Sequence, residues 1–307
     1  MSNGKPYSPR PMTNLKSFFL LGMLLTAFLP LGCGRNAAQR DLREGITAFQ
    51  QGRWNDAAGF LTLADRKRPN QIQVLMLRGL SYSKLNRYSD AWTDFDHILK
   101  LQPENAEAKK GRGEANLGLG HYADAAADFS DALAADPDDV FSLNSRGYAM
   151  ANIGNGEAAL ADFNRALELA ADNPLIYYNR SAVYRRQGNL EAERADLERC
   201  LELDSRNAIF LAAHGKVLFE LGEADAALAE LNDAVAADPD YFGGFKYRAG
   251  YYKSLGRWQE ARDDYSRAIE LRPDDPELWF ERAAAEGQLG DEEGYDRDMA
   301  KYEELTP

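Results

Sequence analysis

Residues 140–173 read VFSLNSRGYAMANIGNGEAALADFNRALELAADN, and this 34-residue pattern recurs from residue 38 to residue 307 without an insertion or a deletion. The eight copies begin at residues 38, 72, 106, 140, 174, 208, 242 and 276. The fifteenth position is glycine in seven of the eight copies, although glycine accounts for only 25 of the 307 residues. A fixed period of this length is typical of a solenoid, in which each repeat packs only against its neighbours.

Each copy divides at its glycine into two segments with helical periodicity. Small and apolar residues recur three or four positions apart before the glycine, as at Leu143 and Gly147, and again after it, as at Ala159 and Phe163. Glycine accepts the left-handed backbone that commonly ends a helix. The pattern therefore predicts one antiparallel helix pair per repeat, with no strand signal in any copy.

The turn that follows the second helix is marked by proline and acidic residues. Residues 136–139 read DPDD and residues 238–240 read DPD. Proline cannot continue a helix, and aspartate is a favoured residue at the start of the next one. We expect these acids to cap the first helix of the following repeat.

Packing positions within the repeat alternate between small and large side chains. Position 24 carries a large apolar residue in copies two to seven, and one helix pair alone cannot bury it. Position eight is small in every copy: Gly45, Gly79, Gly113, Gly147, Ser181, Gly215, Ala249 and Ala283. Position 24 is occupied by Phe95, Phe129, Phe163, Leu197, Leu231 and Tyr265.

A small residue at position eight, alanine at positions 20 and 27, an aromatic residue at position 24 and proline at position 32 together resemble the tetratricopeptide repeat (TPR) family. The resemblance covers residues 38–307. It implies an all-α, right-handed α-solenoid of eight helix-turn-helix repeats, with the last copy acting as a cap. It also implies a concave face formed by positions two, five, nine, 12 and 13 of the first helices. Its members bind proteins or peptides and are scaffolds rather than enzymes.

A basic residue at position seven recurs together with an acidic residue at position 23. Both positions lie eight residues from the turn glycine, so an antiparallel hairpin brings them level. The first copy, with Glu44 and Phe60, lacks both the base and the acid. We expect structural ion pairs, because partly buried charges need partners; the alternative is a row of arginines that binds an acidic ligand. The pairs are Arg78–Asp94, Arg112–Asp128, Arg146–Asp162, Arg180–Asp196, Arg248–Asp264 and Arg282–Asp298, with His214–Glu230 in the sixth copy.

The first helices of copies four and five carry the residues most typical of a peptide-binding surface. Aromatic, amide and arginine side chains are enriched in such hot spots. The alternative is that Phe141 and Tyr178 only pack between adjacent helices. Some TPR proteins clamp a carboxylate with lysine at position five and asparagine at position nine, but here Lys110 is followed by Glu114. The candidate partner-binding residues are Phe141, Asn144, Tyr148, Asn152, Tyr178, Asn179, Arg185 and Arg186.

Residues 1–32 resemble the signal peptide of a bacterial lipoprotein. They contain three basic residues, no acid and an apolar run over residues 18–31, which is short for a membrane span but typical of a signal core. Gly32 stands directly before Cys33, as a lipoprotein processing site requires. The resemblance implies cleavage before Cys33, acylation of that cysteine with a fatty acid such as palmitate, and a short tether over residues 33–37. The alternatives are an ordinary cleaved signal or a retained anchor, and Met12 is an alternative start.

Charge and composition restrict the function further. The chain carries a net charge of −13, and removal of residues 1–32 makes it −16. Such an acidic surface repels nucleic acid. The three histidines occupy different positions of different repeats, so we expect no metal site, no cofactor and no catalytic centre. Cys200 occupies a small-residue packing position and is expected to be a core thiol.

These observations predict a non-catalytic, lipid-anchored scaffold of a bacterial cell envelope, located at the outer membrane where the host has one. A protein or peptide is the expected partner, bound on the concave face, with the membrane contacted through the lipid. One alternative is a pilotin-like assembly lipoprotein of a pilus or secretion system. Another is a regulatory subunit that docks a cell-wall enzyme.

Overall fold

A computed structural model describes residues 37–306, and this part of the chain consists of sixteen α-helices without a strand. The helices form eight antiparallel pairs in the order of the chain. The sequence therefore predicted the all-α fold class correctly. The helices are α1 (Ala37–Gln50), α2 (Trp54–Lys67), α3 (Ile72–Lys84), α4 (Tyr88–Leu101), α5 (Ala106–Leu119), α6 (Tyr122–Ala135), α7 (Val140–Asn152), α8 (Gly156–Leu169), α9 (Pro174–Arg186), α10 (Leu190–Leu203), α11 (Ala208–Glu220), α12 (Ala224–Ala237), α13 (Phe242–Ser254), α14 (Trp258–Leu271), α15 (Pro276–Leu289) and α16 (Glu292–Leu305).

The turn inside each repeat has a left-handed residue at position 15, as the sequence predicted. The seven glycines at this position have φ between 67° and 85°. Asn86 replaces glycine in the second repeat and adopts a φ of 58°. Asparagine is one of the few other residues that visit this region readily, so the hairpin is preserved.

The expectation that the acids of two inter-repeat turns cap the next helix was wrong. Asp136 instead accepts a hydrogen bond from the backbone N–H of Asp138 at 3.2 Å, which closes the turn itself. Asp139 precedes α7, but its carboxylate accepts from the hydroxyl of Ser142 at 2.6 Å and makes no cap bond. An equivalent bond of 2.9 Å closes the turn at residues 238–240. Side chains that do cap helices are Asn105, Asn155, Asn173, Asn189, Asn207, Asp275 and Asp291.

The core is continuous along the stack because large side chains of one helix fill space left by small residues of another. Phe95, Phe129 and Phe163 are fully buried. A Cβ atom added to Gly147 would lie 2.8 Å from the ring of Phe163, and one added to Gly111 would lie 2.5 Å from the ring of Phe95. Since Gly111 belongs to the repeat after Phe95, the same ring fixes the spacing of two neighbouring repeats.

The first helix of each repeat lies on the inner side of the stack. At most junctions within residues 37–306, successive first helices contact one another, while successive second helices make at most sparse contact. An array that is tighter along one row of helices curves toward that row. The odd-numbered helices therefore line the concave face.

The amino-terminal features expected from the sequence lie largely outside the described residues. This holds for the signal peptide at residues 1–32 and for Cys33. Helix α1 begins at Ala37, the last residue of the expected tether. Among the helices described, none has the length and apolar character needed to cross a membrane.

Candidate functional site

The base at position seven and the acid at position 23 form a bidentate ion pair between the two helices of a repeat. Arg146 donates from Nε and Nη2 to the two carboxylate oxygens of Asp162, at 2.8 and 2.7 Å. These hydrogen bonds raise the pKa of the Arg146 guanidinium above its ordinary value, so the arginine stays charged. Because each arginine is neutralised within its own repeat, the row presents little free positive charge to a ligand. The same arrangement joins Arg78 to Asp94, Arg112 to Asp128, Arg180 to Asp196, Arg248 to Asp264 and Arg282 to Asp298.

The same arginines also bridge to the preceding repeat, a connection that the sequence reasoning missed. Arg180 donates from Nη1 to Asn164 of the fourth repeat at 2.6 Å. The acceptor lies at position 25, which is polar in copies one to seven and becomes Ala300 in the last copy, where no repeat follows. The loss of a polar residue at position 25 in the last copy is the sequence feature that could have predicted this bridge. The other acceptors at this position are Asp96 for Arg112, Ser130 for Arg146, Asn232 for Arg248 and Ser266 for Arg282.

The sixth repeat interrupts this bridge. His214 pairs through Nδ1 with Glu230 at 2.8 Å, but its Nε2 is 4.0 Å from Glu198, which occupies position 25 of the fifth repeat. His214 Nε2 is buried and has no hydrogen-bond partner. The junction between repeats five and six therefore lacks the arginine bond that ties its neighbours together.

Two aromatic residues of the predicted partner-binding site pack against an adjacent repeat, Phe141 against the preceding one and Tyr178 against the following one. The ring of Phe141 lies 6.0 Å from that of Phe129 in an edge-to-face arrangement, measured between centroids. The ring of Tyr178 lies 5.5 Å from that of Phe210. Both candidate residues remain partly exposed. They therefore contribute to packing between repeats, and part of each side chain remains exposed.

Polar candidates link the first helices of repeats four and five. Asn179 donates to the side-chain oxygen of Asn144 at 3.0 Å. Arg186 donates to the backbone carbonyl of Ala151 and to the side chain of Asn152 at 3.3 Å. Helices α7 and α9 thus bring the predicted site residues onto one face, where the exposed Arg186 is held in place.

Arg185 is turned toward the next repeat. It binds Glu193 at 2.5 Å and Glu220 at 2.9 Å. Arg185 Nη2 and Glu193 Oε2 are buried without a hydrogen-bond partner, and burial raises the pKa of Glu193. Arg185 therefore connects repeats five and six and partly replaces the bridge missing at His214.

The floor of the concave face is open at Ala182. This residue occupies position nine and is exposed, between Tyr148 and Lys216 at the same position of the adjacent repeats. The Lys216 ammonium lies 5.2 Å from the ring centroid of Tyr247 and 3.9 Å from Glu220. Burial lowers the pKa of Lys216. Sequence reasoning missed Ala182, because an alanine carries no chemical signal until its neighbours are known.

The one cysteine in the described part of the chain, Cys200, is a core thiol. Cys200 is fully buried and its thiol donates to the carbonyl of Pro174 at 3.2 Å. Burial raises the pKa of this thiol to about 12. Between residues 37 and 306, no group of three or more histidine, cysteine, aspartate and glutamate side chains is placed to hold a metal ion.

Comparison with known structures shows the same architecture. A tetratricopeptide repeat protein from Parabacteroides merdae is 16% identical, with 81% of this chain and 98% of that chain covered and a TM-score of 0.70. In the complex of Cut9 with Hcn1, the matching chain is 16% identical with a TM-score of 0.65; the match covers 87% of this chain but only about half, 52%, of that one. A MamA fragment from Desulfovibrio magneticus is 21% identical, with coverages of 57% and 98% and a TM-score of 0.53.

Sequence families give a consistent result. No relative among curated proteins matches the chain. Tetratricopeptide repeat models match residues 76–140 and 175–207, and a TPR repeat model matches residues 251–290. These segments belong to the second, third, fifth, seventh and eighth helix pairs. The chain is a tetratricopeptide repeat protein.

Proposed function

We propose that this protein is a non-catalytic scaffold, anchored in the cell envelope by an acylated Cys33, that binds an extended peptide or a helix on its concave face at repeats four to six. The supporting observation is a contrast between positions of the same helices. Position seven, inside the hairpin, is arginine in six of eight copies. Position nine of the first helices holds seven different residue types. Leu80 and Glu114 are buried, whereas the other six are at least partly exposed: Ile46, Tyr148, Ala182, Lys216, Gly250 and Ala284.

Variation of this kind suits a single defined partner. Stacking imposes the same demand on every repeat, so positions that serve only the stack repeat themselves. A partner with its own sequence places a different demand on each repeat. The concave-face side chains meet that condition, since one repeat offers an aromatic ring, the next an exposed alanine and the next a lysine.

The internal contacts of the candidate residues favour binding. Arg186, Asn152 and Tyr178 are already held by neighbouring side chains, so less rotamer entropy is lost when a partner orders them. Aromatic and arginine side chains held in this way are typical of interface hot spots. The open floor at Ala182 gives an extended chain room to approach the backbone of α9.

The anchor places this surface near a membrane. Only residues 34–36 separate Cys33 from helix α1, which corresponds to about 15 Å of extended chain. The first repeat is therefore held close to the lipid, and a partner bound at repeats four to six lies no farther from the lipid than the length of the solenoid. The support for the anchor is the sequence of residues 1–33, as described above.

The test is site-specific photo-crosslinking from the concave face in intact cells. A photoreactive residue replaces Ala182 in one strain and Ala195 in the other. Ala195 belongs to the same repeat and is also exposed, but it lies on the second helix. We expect a crosslinked partner from position 182 and none from position 195. Equal products at both positions, or none at either, would refute binding on the concave face.

Two further measurements complete the test. Ala182→Trp fills the open floor and should abolish a crosslink made from the neighbouring position 148, whereas Ala195→Trp should leave it intact. Mass spectrometry of the chain purified from membranes tests the acyl group on Cys33 separately. A pilus or secretion component as the partner would favour the assembly role, and a wall enzyme would favour the regulatory role.

A further inference from the structure

Charge is distributed unevenly along the solenoid. Residues 1–37 contribute four positive charges to the total of −13, so the repeats together carry −17. The first repeat contains six basic and four acidic residues and carries +2, which leaves −19 on the other seven. The repeat that follows the tether is therefore the opposite in sign to the bulk of the protein.

Most acids of the first repeat are already neutralised. Asp41 is buried and binds Lys67 at 2.5 Å, and this bond holds the pKa of the carboxyl below its usual value. Asp56 binds Arg53 at 2.7 Å. Asp65 binds an arginine of the second repeat at 3.2 Å. Of the four acids in the first repeat, only Glu44 is exposed and has no ion-pair partner among the described residues.

Three arginines of the same repeat have no such partner. Arg43, Arg66 and Arg68 are exposed, and their guanidinium groups make no ion pair or hydrogen bond with the described residues. Together with Arg40 and Lys67 they form what we call the basic end. Arg40 and Lys67 are exposed as well but pair with Asp41, so it is the three arginines that lack a structural role among the described residues.

The basic end surrounds the point at which the chain enters the solenoid. The bond between Asp41 and Lys67 joins the start of α1 to the end of α2. Arg43 lies two residues from Asp41, and Arg66 and Arg68 flank Lys67. Helix α1 begins four residues after Cys33, so these cations lie within reach of whatever surface holds that residue.

We propose that the basic end binds the anionic headgroups of the membrane to which Cys33 is attached. The inference rests on the proposed anchor, which keeps the basic end within about 15 Å of the lipid phosphates. Arginine and lysine are attracted to an anionic surface within about one Debye length, and the other seven repeats, which together carry −19, are repelled by the same field. The two forces together turn the first repeat toward the membrane and the concave face of repeats four to six away from it.

The occupant is a lipid surface rather than a soluble polyanion for two reasons. The tether gives headgroups a high local concentration at this end of the molecule, which no soluble ligand shares. A long polyanion such as duplex DNA would also approach the later repeats, which together carry −19 and repel it. A flat surface met only by the terminal repeat avoids this repulsion.

The experiment uses residues 34–307 without an acyl group, because the described core lies entirely within this part of the chain. Binding is measured by co-sedimentation with vesicles of phosphatidylcholine, with or without about one third of phosphatidylglycerol, at low salt. We expect stronger binding to the anionic vesicles, and loss of the difference at high salt. Equal binding to both kinds of vesicle would overturn the proposal without any substitution.

The triple variant Arg43→Gln, Arg66→Gln, Arg68→Gln assigns the effect to the basic end. Each residue contributes about fivefold to partitioning, so the variant should lose about a hundredfold. A matched control removes the same charge elsewhere, through Arg165→Gln, Arg199→Gln and Arg206→Gln, all exposed in repeats four and five. The control should bind like the parent chain. An equal loss in both variants would show that net charge, not the basic end, governs binding.

Two outcomes separate this inference from the proposed function. If Cys33 carries no acyl group but the vesicle difference is present, the anchor fails and the basic end stands. If Cys33 is acylated but anionic and neutral vesicles are bound equally, the anchor stands and the basic end fails. Retention on duplex DNA with the same loss in the triple variant would replace the lipid by nucleic acid and refute the proposal.

Discussion

The first helices carry both the arginines of the Arg–Asp ion pairs, called the ladder here, and the side chains of the concave face, yet the two sets differ in how their residues recur. The ladder pairs arginine with aspartate in six repeats, with nearly the same bonds each time. The concave face changes from one repeat to the next. Within a single chain, this difference separates residues that the stack requires from residues that it leaves free for another purpose.

The substitution Asp162→Ala should have the largest effect on stability. It leaves Arg146 three-quarters buried without its partner, and loss of one member of a buried pair is costly. We expect the free energy of unfolding to fall by about 2 to 4 kcal/mol, a range reduced because solvent still screens part of the arginine. Denaturant titration of the purified chain measures this value, while crosslinking from position 182 should persist.

A matched substitution on the surface gives the control for Asp162→Ala. Asp138 binds Arg165 at 2.7 Å, but more than half of the aspartate side chain is exposed. Asp138→Ala should therefore leave the unfolding midpoint unchanged. If Asp162→Ala removed the crosslink and kept full stability, the ladder would be a ligand site and the distinction between the two regions would fail.

Repairing the sixth repeat should have the opposite effect and a smaller size. The double substitution His214→Arg, Glu230→Asp recreates the ladder pair and lets the arginine reach Glu198, as the equivalent arginines reach position 25. We expect a gain of about 1 kcal/mol in the free energy of unfolding, since one buried unsatisfied nitrogen is replaced by a charged hydrogen bond.

The control for this repair is the same double substitution combined with Glu198→Ala. Without the acceptor at position 25, the gain should shrink, and the difference between the two backgrounds measures the bridge between repeats five and six. A repair that stabilises both backgrounds equally would show that the bridge contributes nothing and that only the pair inside the repeat matters.

A change on the concave face should alter binding without altering stability. Ala182 is exposed, so Ala182→Trp adds a side chain where no described residue lies in the way, and the unfolding midpoint should match that of the parent chain within about 0.5 kcal/mol. Thermal melting checks this value next to the crosslinking experiment. A strongly destabilised Ala182→Trp would mean that position nine serves the stack after all.

The sequence predicted the structural features that recur at the same position in successive repeats. The left-handed turn, the small residue at position eight and the pairing of Arg146 with Asp162 were readable because the same constraint appears in copy after copy. The bridge from Arg180 to Asn164 escaped notice, since position 25 requires only a hydrogen-bond acceptor and its residue type changes from repeat to repeat.

The contacts within the concave face were not predictable from the period. The bond from Arg186 to the carbonyl of Ala151 depends on how far one first helix is displaced from the next. That displacement results from packing of the whole stack and has no signature at one position. The same is true of the open floor at Ala182, which exists because Tyr148 and Lys216 are larger than the residue between them.

Cys200 gives the smallest expected effect and the sharpest test of the rule that interior positions serve the stack. It occupies position 27, which is alanine in five copies, so its identity departs from the pattern in an interior location. Burial raises the pKa of its thiol to about 12, and the thiolate fraction at pH 8 is therefore about one in ten thousand.

Native protein comprising residues 34–307 should not react with a disulfide reagent at pH 8, whereas the unfolded protein should react with one equivalent of the reagent. Cys200→Ala should remain soluble and keep the crosslink. Rapid reaction of the native thiol would mean that a buried residue that differs from the repeat pattern can be chemically reactive. Variation between repeats on the concave face would then no longer be sufficient to identify the functional residues.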